Sequence, residues 1–374
     1  MNILFITELE PFPPNRGERI RSYNLINSIL EFADNLILIA GNAPPKEKRY
    51  ASIEYLKYPG KPTRNRWINL LYLFMRRRSF TRLLNGILSA HQINMVFIDF
   101  NFFGNYIQVF KNRGIRVTYG THNIQSYLNY QRPVKGLKEH LYLHTEFFFE
   151  KLHERIFFKQ ADHLIGVSDE DLNYYRKRLK LSRTYLVPNY INENEYLGYC
   201  DAEKKQQIIM TGNFNTFQNY YGLRWFLENV WDKELAELAG LVIVGHGSKE
   251  QFQLICQDGI YSSSITAMGS VDNLKGHIAE SKAAIIPLQH GSGTRLKCIE
   301  AMALKTNIVS TSVGVEGIKH DGSILIADDA LSFKECLIRV LKNEIKNEEK
   351  AYQVFLSEYS FQANTPRLQR VLKS

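Results

Sequence analysis

Short apolar runs alternate with longer amphipathic stretches from one end of this chain to the other, and that alternation is the pattern of parallel βαβ units. The runs Ile3 to Thr7, Leu36 to Ala40, Met95 to Ile98, Arg116 to Tyr119 and His163 to Val167 form one set of expected strands. A second set comprises Gln207 to Thr211, Gly240 to Val244, Ser264 to Met268, Ala283 to Pro287, Asn307 to Ser310 and Ser323 to Ile326. The expected fold class is therefore α/β, with two Rossmann-like, doubly wound halves facing a cleft. Apolar periodicity lapses around Val187-Pro188-Asn189 and through the polar stretch Asn192 to Gln206, which places the linker there. The expected limits are 1–195, 196–355 and a terminal helical segment, 356–374, that either completes the second half or crosses back to the first. Open parallel sheets bind ligands at the carboxyl ends of their strands, so the loops carry the function.

At 374 residues, and about 150 residues per domain, the chain has room for two to three domains and a sizeable core. Its four cysteines, Cys200, Cys256, Cys298 and Cys336, show no metal-ligand spacing; no metal site is expected, and a reducing compartment is. The opening run from Met1 to Glu8 reads as a first strand and not as a signal peptide. Leu70 to Met75, the longest candidate for a spanning segment, ends at Arg76-Arg77-Arg78, so no membrane-spanning helix is expected.

The net charge of +9 is concentrated. No acidic residue falls between Glu54 and Asp99, while Lys57, Lys61, Arg64, Arg66, Arg76, Arg77, Arg78 and Arg82 do. Trp67, Leu70, Leu71, Tyr72, Phe74, Phe80, Leu83 and Leu84 are interleaved with them, a composition suited to helices at a lipid interface. An ordinary helix with a solvated basic face is the other reading. No aromatic stacking motif of the RNA-binding kind is present, and no nucleic-acid partner is expected.

Two loops suit phosphate. The first runs from Glu8 to Arg21 and delivers Gly17 to a helix start, where backbone N–H groups approach an anion closely; a plain turn glycine is the alternative. It is not the G-x-G-x-x-G dinucleotide fingerprint. The second, Pro287-Leu288-Gln289-His290-Gly291-Ser292-Gly293-Thr294-Arg295-Leu296-Lys297, feeds a helix that carries Glu300. Arg295 and Lys297 can neutralise a diphosphate, and a carboxylate at Glu300 can accept from vicinal hydroxyls such as those of a ribose. Otherwise the loop is a capping turn and Glu300 a surface residue.

The run Gly291 to Ala303, followed by Asn307 to Gly317, resembles the donor-binding region of GT-B glycosyltransferases of family 4. Pro11 to Arg21 is similar to that family's glycine loop, Thr121-His122-Asn123 to its HN element, and Ala161 to Ser168 to its AD-containing strand. Val187-Pro188-Asn189, Val244-Gly245-His246-Gly247 and Gly269-Ser270-Val271-Asp272 continue the likeness over almost the whole chain. The resemblance implies a retaining, metal-independent transfer from a nucleotide-diphosphate-sugar, with no cofactor. It implies an acceptor-binding first domain and a donor-binding second. Gly17 matches the glycine near the diphosphate, His122 the histidine beside the donor sugar, and Glu300 the second glutamate of E-x7-E, which holds the ribose.

The first glutamate of that pattern is Ser292 here, so Ser292, Gly293, Thr294 and Leu296 are expected to meet the donor largely through backbone. The usual Arg and Lys after the first strand of the second domain are also missing. Gly212 is followed by Asn213 and, six residues later, by Asn219. Arg295 and Lys297 are expected to restore the two charges, and with His122 they form the expected catalytic set.

The expected function is that of a hexosyltransferase-type enzyme of cell-envelope polysaccharide synthesis, cytoplasmic and peripheral at the inner face of the membrane. A nucleotide sugar, a glycan or lipid-linked acceptor, and an anionic membrane surface are its expected partners. The surface is to be met through Arg64, Arg66, Trp67, Arg76, Arg77, Arg78 and Arg82. A nucleotide-sugar epimerase and a non-catalytic nucleotide-sugar-binding protein are the alternatives.

Overall fold

The computed structural model describes residues 1–60, 65–124, 136–256, 262–291 and 295–374. They form two compact units, one made of Met1–Asn189 with Asn364–Ser374 and one of Tyr190–Ala363. The expected limits at 195/196 and 355/356 compare with 189/190 and 363/364 in the structure.

The first unit is a seven-stranded parallel sheet of β1 (Asn2–Thr7), β2 (Asn35–Ala40), β3 (Ile53–Lys57), β4 (Met95–Asp99), β5 (Arg116–Gly120), β6 (His163–Gly166) and β7 (Thr184–Leu186). Their spatial order is β3-β2-β1-β4-β5-β6-β7, so the winding reverses between β1 and β4. The central strands, NILFIT and MVFID, are apolar at nearly every position because helices cover both faces. Those helices are α1 (Gly17–Leu30), α2 (Arg66–Leu71), α3 (Arg78–Ala90), α4 (Ile107–Lys111), α5 (Leu137–Phe157) and α6 (Asp169–Leu179). Ser168 starts α6 by accepting from the backbone of Asp171 at 3.1 Å. Strands β3 and β7 were not among the expected ones. The first alternates partly buried and exposed residues at the sheet edge, and the second is three residues long.

The second unit repeats the scheme with six parallel strands. They are β8 (Lys205–Thr211), β9 (Gly240–Val244), β10 (Ile265–Gly269), β11 (Ser281–Ile286), β12 (Asn307–Ser310) and β13 (Leu325–Ile326), in the spatial order β10-β9-β8-β11-β12-β13. Helices α7 (Phe217–Asn229), α8 (Lys233–Leu238), α9 (Ser248–Ile255), α10 (Leu274–Ala279), α11 (Leu296–Ala303), α12 (Ala330–Leu341) and α13 (Glu348–Val354) complete it. Here the winding reverses between β8 and β11. The core joins Ile208 and Met210 of β8, Ile285 of β11, Phe226 of α7 and Phe333 of α12.

The last helix, α14 (Phe361–Lys373), begins in the second unit and ends in the first. Its first turn is held by Glu193, whose two carboxylate oxygens accept from the backbone N–H groups of Phe361 and Gln362 at 2.8 and 3.2 Å. Beside it Ile191 pairs with Ser360 as a parallel bridge. Further along, Thr365 shares a hydrogen bond of 2.7 Å with Ser28 of α1.

Candidate functional site

In a doubly wound sheet the loops flanking the reversal point diverge to opposite faces and leave a crevice at the strand ends. In the second unit those loops follow β8 and β11. The β8 loop is built by glycine: Gly212 (φ +155) lies so close to Gly245 that a Cβ on Gly245 would stand 1.9 Å from the Gly212 carbonyl oxygen. Both must be glycine, and the two loops are hydrogen bonded through Gly212 N–H to Val244 O (3.1 Å) and Phe214 N–H to His246 O (2.8 Å). Asn213 turns this loop from within, accepting from the backbone of Asn215 at 3.1 Å through its side chain and from Asn219 Nδ2 at 2.9 Å through its carbonyl.

Lys297 reaches the same loop from α11. Its Nζ donates to the carbonyl of Thr211, the last residue of β8, at 2.9 Å and to Asn219 Oδ1 at 2.8 Å. Burial and, after it, the neighbouring Arg295 bring its pKa down to about 8 against the opposing pull of Cys298 and Glu300. Arg295 immediately precedes α11, with its side chain 12% exposed and 4.0 Å from Glu316 Oε2. Burial works against its charge and Glu316 for it, but a guanidinium keeps its proton. Among the described residues no side chain caps α11, and Arg295 at its N-cap position leaves the first N–H groups without a side-chain acceptor from itself. Leu296 is the first residue of that helix, and Ser292, Gly293 and Thr294 lie outside the described residues.

Glu300 sits on α11 one turn beyond Lys297. Tyr196 donates to its Oε1 at 3.4 Å, and Lys275 Nζ stands 4.2 Å from the centre of the Tyr196 ring. Burial raises the Glu300 carboxyl, against the Tyr196 hydrogen bond and the charges of Lys275 and Lys297. Tyr196 and Lys275 were not read from the sequence, since neither lies in a phosphate-type loop.

In the first unit the reversal point lies between β1 and β4. Gly17, exposed, is the first residue of α1, which also starts without a side-chain cap. His122 follows β5 and is 9% exposed; its Nε2 is 2.7 Å from Oδ1 of Asp99, the last residue of β4. Ser22 of α1 donates to the other oxygen, Oδ2, at 2.5 Å. Burial alone would raise the Asp99 pKa, but His122, Ser22 and the charge of Arg21 outweigh it, so Asp99 is held below its ordinary value and stays ionised. Arg21, 2% exposed, donates through one guanidinium nitrogen to Val187 O (3.0 Å), Pro188 O (3.2 Å) and Asn189 Oδ1 (3.2 Å). With Nε2 committed to Asp99, Nδ1 is the ring nitrogen of His122 left for a ligand. Phe100, next to Asp99, has φ +84, in a region that side chains rarely occupy, and its ring lies edge-on to His122 at 5.2 Å.

The basic segment divides. The apolar side of α3 is spent on the core, since Phe80, Leu84 and Ile87 are buried there, and is not available to lipid. Arg77 is also partly structural, donating through its side chain to Gly60 O and through its backbone to Tyr106 Oη. Arg66, Arg76, Arg78 and Arg82 are exposed, and Arg64 lies outside the described residues. Helix α2 and the turn after it pack on α5 through Leu70, Leu73, Tyr142 and Leu143; Trp67 meets the Tyr142 ring edge-on and, like Ile68, Leu71 and Met75, stays exposed. On α5, Leu137, Leu141 and Phe148 are exposed as well. Among the described residues no group of three or more His, Cys, Asp and Glu is arranged for a metal ion, and no helix is long and apolar enough to cross a membrane.

Residues 205–343, from the start of β8 past the end of α12, match the family model described as Glycosyl transferases group 1. A Klebsiella pneumoniae protein described as "Uncharacterized 44.6 kDa protein in cps region" is 28% identical over 157 residues, which are 40% of this chain and 40% of that protein. The aligned stretch thus spans less than half of that relative's length. Among solved structures, Anabaena Alr3699/HepE in complex with UDP and glucose is similar over 100% of this chain and 99% of its own, with a TM-score of 0.68 and 12% identity. WaaG, described as a glycosyltransferase involved in lipopolysaccharide biosynthesis, is similar over 99% of this chain and 98% of its own, with a TM-score of 0.66 and 12% identity. The two doubly wound units are those of the GT-B fold.

Proposed function

We propose that this chain, a glycosyltransferase whose second unit is a group 1 domain, moves a sugar with retention from a nucleotide-diphosphate-sugar to a hydroxyl of a glycan or lipid-linked acceptor of the cell envelope, without a bound metal ion. The observation that carries this reading is the Lys297 ammonium against Thr211 and Asn219, at the crevice where β8 and β11 part, with Arg295 beside it. Two cations and uncapped helix N–H groups there suit a departing diphosphate, whose charge grows as the sugar leaves. Family 4 membership rests on the motifs quoted above. The envelope assignment is supported by the likeness to a protein of a cps region.

The reaction breaks the bond between the anomeric carbon and the phosphate oxygen, and the electron pair goes to the phosphate. The acceptor oxygen bonds the same face of that carbon, and its proton passes to the leaving phosphate. Lys297 and Arg295 stabilise the diphosphate, and Glu300 takes the ribose hydroxyls. His122, oriented by Asp99, meets a hydroxyl of the transferred sugar. Gly17 contributes backbone at the start of α1.

The exposed apolar residues of α2 and α5, with the exposed cations Arg66, Arg76, Arg78 and Arg82 of the same stretch of chain, suit an anionic membrane surface where a lipid-linked acceptor resides. The test is nucleoside diphosphate release from a panel of nucleotide sugars, with and without polyprenyl-phosphate-linked acceptors and with EDTA. Acceptor-dependent release indifferent to EDTA is expected. A new nucleotide sugar formed without acceptor would make the enzyme an epimerase, and donor binding without release would make it a binding protein.

A further inference from the structure

Two imidazoles stand one turn apart at the start of α5. Nε2 of His140 and Nε2 of His144 are 2.9 Å apart, with ring centroids at 4.3 Å and planes at 68°. Both residues are exposed, so an ion in solution reaches them without rearrangement of the core. Residues four apart share one helix face, which keeps both rings on the same side of α5.

The separation is informative. Two imidazole nitrogens bound to one ion at about 2.05 Å, and at right angles, stand about 2.9 Å from each other; a tetrahedral ion would want them about 3.3 Å apart. In the absence of an ion, one Nε2–H donates to the other nitrogen, which holds the same spacing. Exchanging that proton for an ion keeps the two nitrogens at this spacing and needs only a turn of the rings that aims both lone pairs at the ion.

We propose that His140 and His144 form a two-histidine chelate for a late first-row divalent ion that accepts right-angle coordination, of the Ni²⁺ or Cu²⁺ class, with water in the remaining positions. No third carboxylate, thiol or imidazole joins them among the described residues, so the site exchanges its ion readily. It takes no part in the sugar transfer.

The chelate has a structural effect. Helix α5 starts after Gly136, which has φ +106 and supplies no side-chain cap, and its first backbone bond runs from His140 N–H to Gly136 O at 3.1 Å. An ion bound to both rings closes a ring across the turn from 140 to 144 and fixes that uncapped end. Leu137 and Leu141, exposed on the same two turns, are held with it. Binding needs both imidazoles unprotonated, so acid releases the ion.

The test is a nickel titration of the full chain by calorimetry in a non-coordinating buffer, paired with hydrogen exchange of the amides of residues 141–148. One saturable site is expected, weakened at least about tenfold in His140→Ala and in His144→Ala, because each leaves a single ligand without its chelate partner. His91→Ala, which removes a histidine ion-paired with Glu54 at 3.3 Å, should leave the site unchanged. Nickel should slow exchange at 141–148 in the parent chain and in neither α5 variant, and EDTA should reverse it. Equal nickel affinity in the parent and in either α5 variant overturns the proposal, as do a loss of affinity in His91→Ala and exchange that nickel leaves unaltered.

Discussion

The ammonium of Lys297 stands 2.8 Å from the side-chain oxygen of Asn219, so α11 supplies a positive charge at a place where α7 offers an amide. Asn219 is also one of the two positions at which the family pattern expects a cation. On the proposed function, Lys297 supplies from α11 the charge that the resemblance would place at Asn219.

A relocated charge is testable by moving it back. Lys297→Met should lower kcat/KM by roughly 10²- to 10³-fold, the usual scale for removing one group that stabilises a leaving anion. Adding Asn219→Lys to that variant should recover at least about tenfold, since the new ammonium starts beside the vacated position. Steady-state kinetics on the four combinations decide it; a double variant no better than Lys297→Met would show that the position of the charge is not interchangeable.

Lys297 also sets a pH dependence. Its pKa near 8 is lower than the ordinary value of 10.5, because burial and Arg295 disfavour the charged form. A diphosphate favours that form, so donor binding above about pH 8 takes up a proton, and affinity falls by up to about tenfold per pH unit beyond it. The sign for stability is the reverse: the free protein gains stability from this group as pH rises from about 8 towards 10.5. Calorimetry of nucleoside diphosphate binding in buffers of different ionisation enthalpy measures the proton uptake, which should vanish in Lys297→Met.

Asp99 has the opposite sign. Its folded pKa lies below the ordinary carboxylate value, so its stabilisation is fully present at neutral pH and is lost as pH falls through that depressed value. Asp99→Asn should cost about 1–3 kcal/mol in stability and flatten the acid limb of the unfolding curve. Arg21→Met should also destabilise, by at least about 1–3 kcal/mol, because it leaves the acceptors of Val187, Pro188 and Asn189 without this buried donor and removes a charge that favours the ionised Asp99. Denaturant melts carried from neutral pH to well below pH 3.8, the ordinary value for this carboxyl, measure both effects.

On the proposed function, attachment to a membrane separates into two contributions. Replacing Arg66, Arg76, Arg78 and Arg82 by Ser should reduce binding to anionic vesicles at low salt to the level seen at high salt, at about 1 kcal/mol per charge. Replacing Trp67, Leu71, Leu141 and Phe148 by Ser should instead remove the fraction that persists at high salt, where charges are screened. Co-sedimentation at two ionic strengths distinguishes them, and attachment unchanged in both variants would exclude this face.

Sequence reading succeeded where a signal was local. Strands buried on both faces, such as Phe5 and Ile6 in β1 or Ile285 in β11, stand out as apolar runs. At the edges, β3 is half polar and β7 is three residues long, and neither differs enough from loop to be seen. The expected strand stops at Ile98, one residue short of Asp99. Its burial is explained only by Ser22 and His122, 77 and 23 residues away, which the fold alone brings to it. Likewise α3 looked free to meet lipid until Phe80 and Leu84 were found in the core. Spacing reveals that a helix has an apolar side, not what covers it.

The pairing of Ile191 with Ser360, and the grip of Glu193 on the first turn of α14, bring together the two places where the chain passes between units. Residues 190–363 therefore form an insert with adjacent ends inside a host made of 1–189 and 364–374. Such an arrangement is modular at the level of the gene: one contiguous stretch of coding sequence carries the whole second unit. It can be exchanged for another at two neighbouring junctions, leaving the first unit intact.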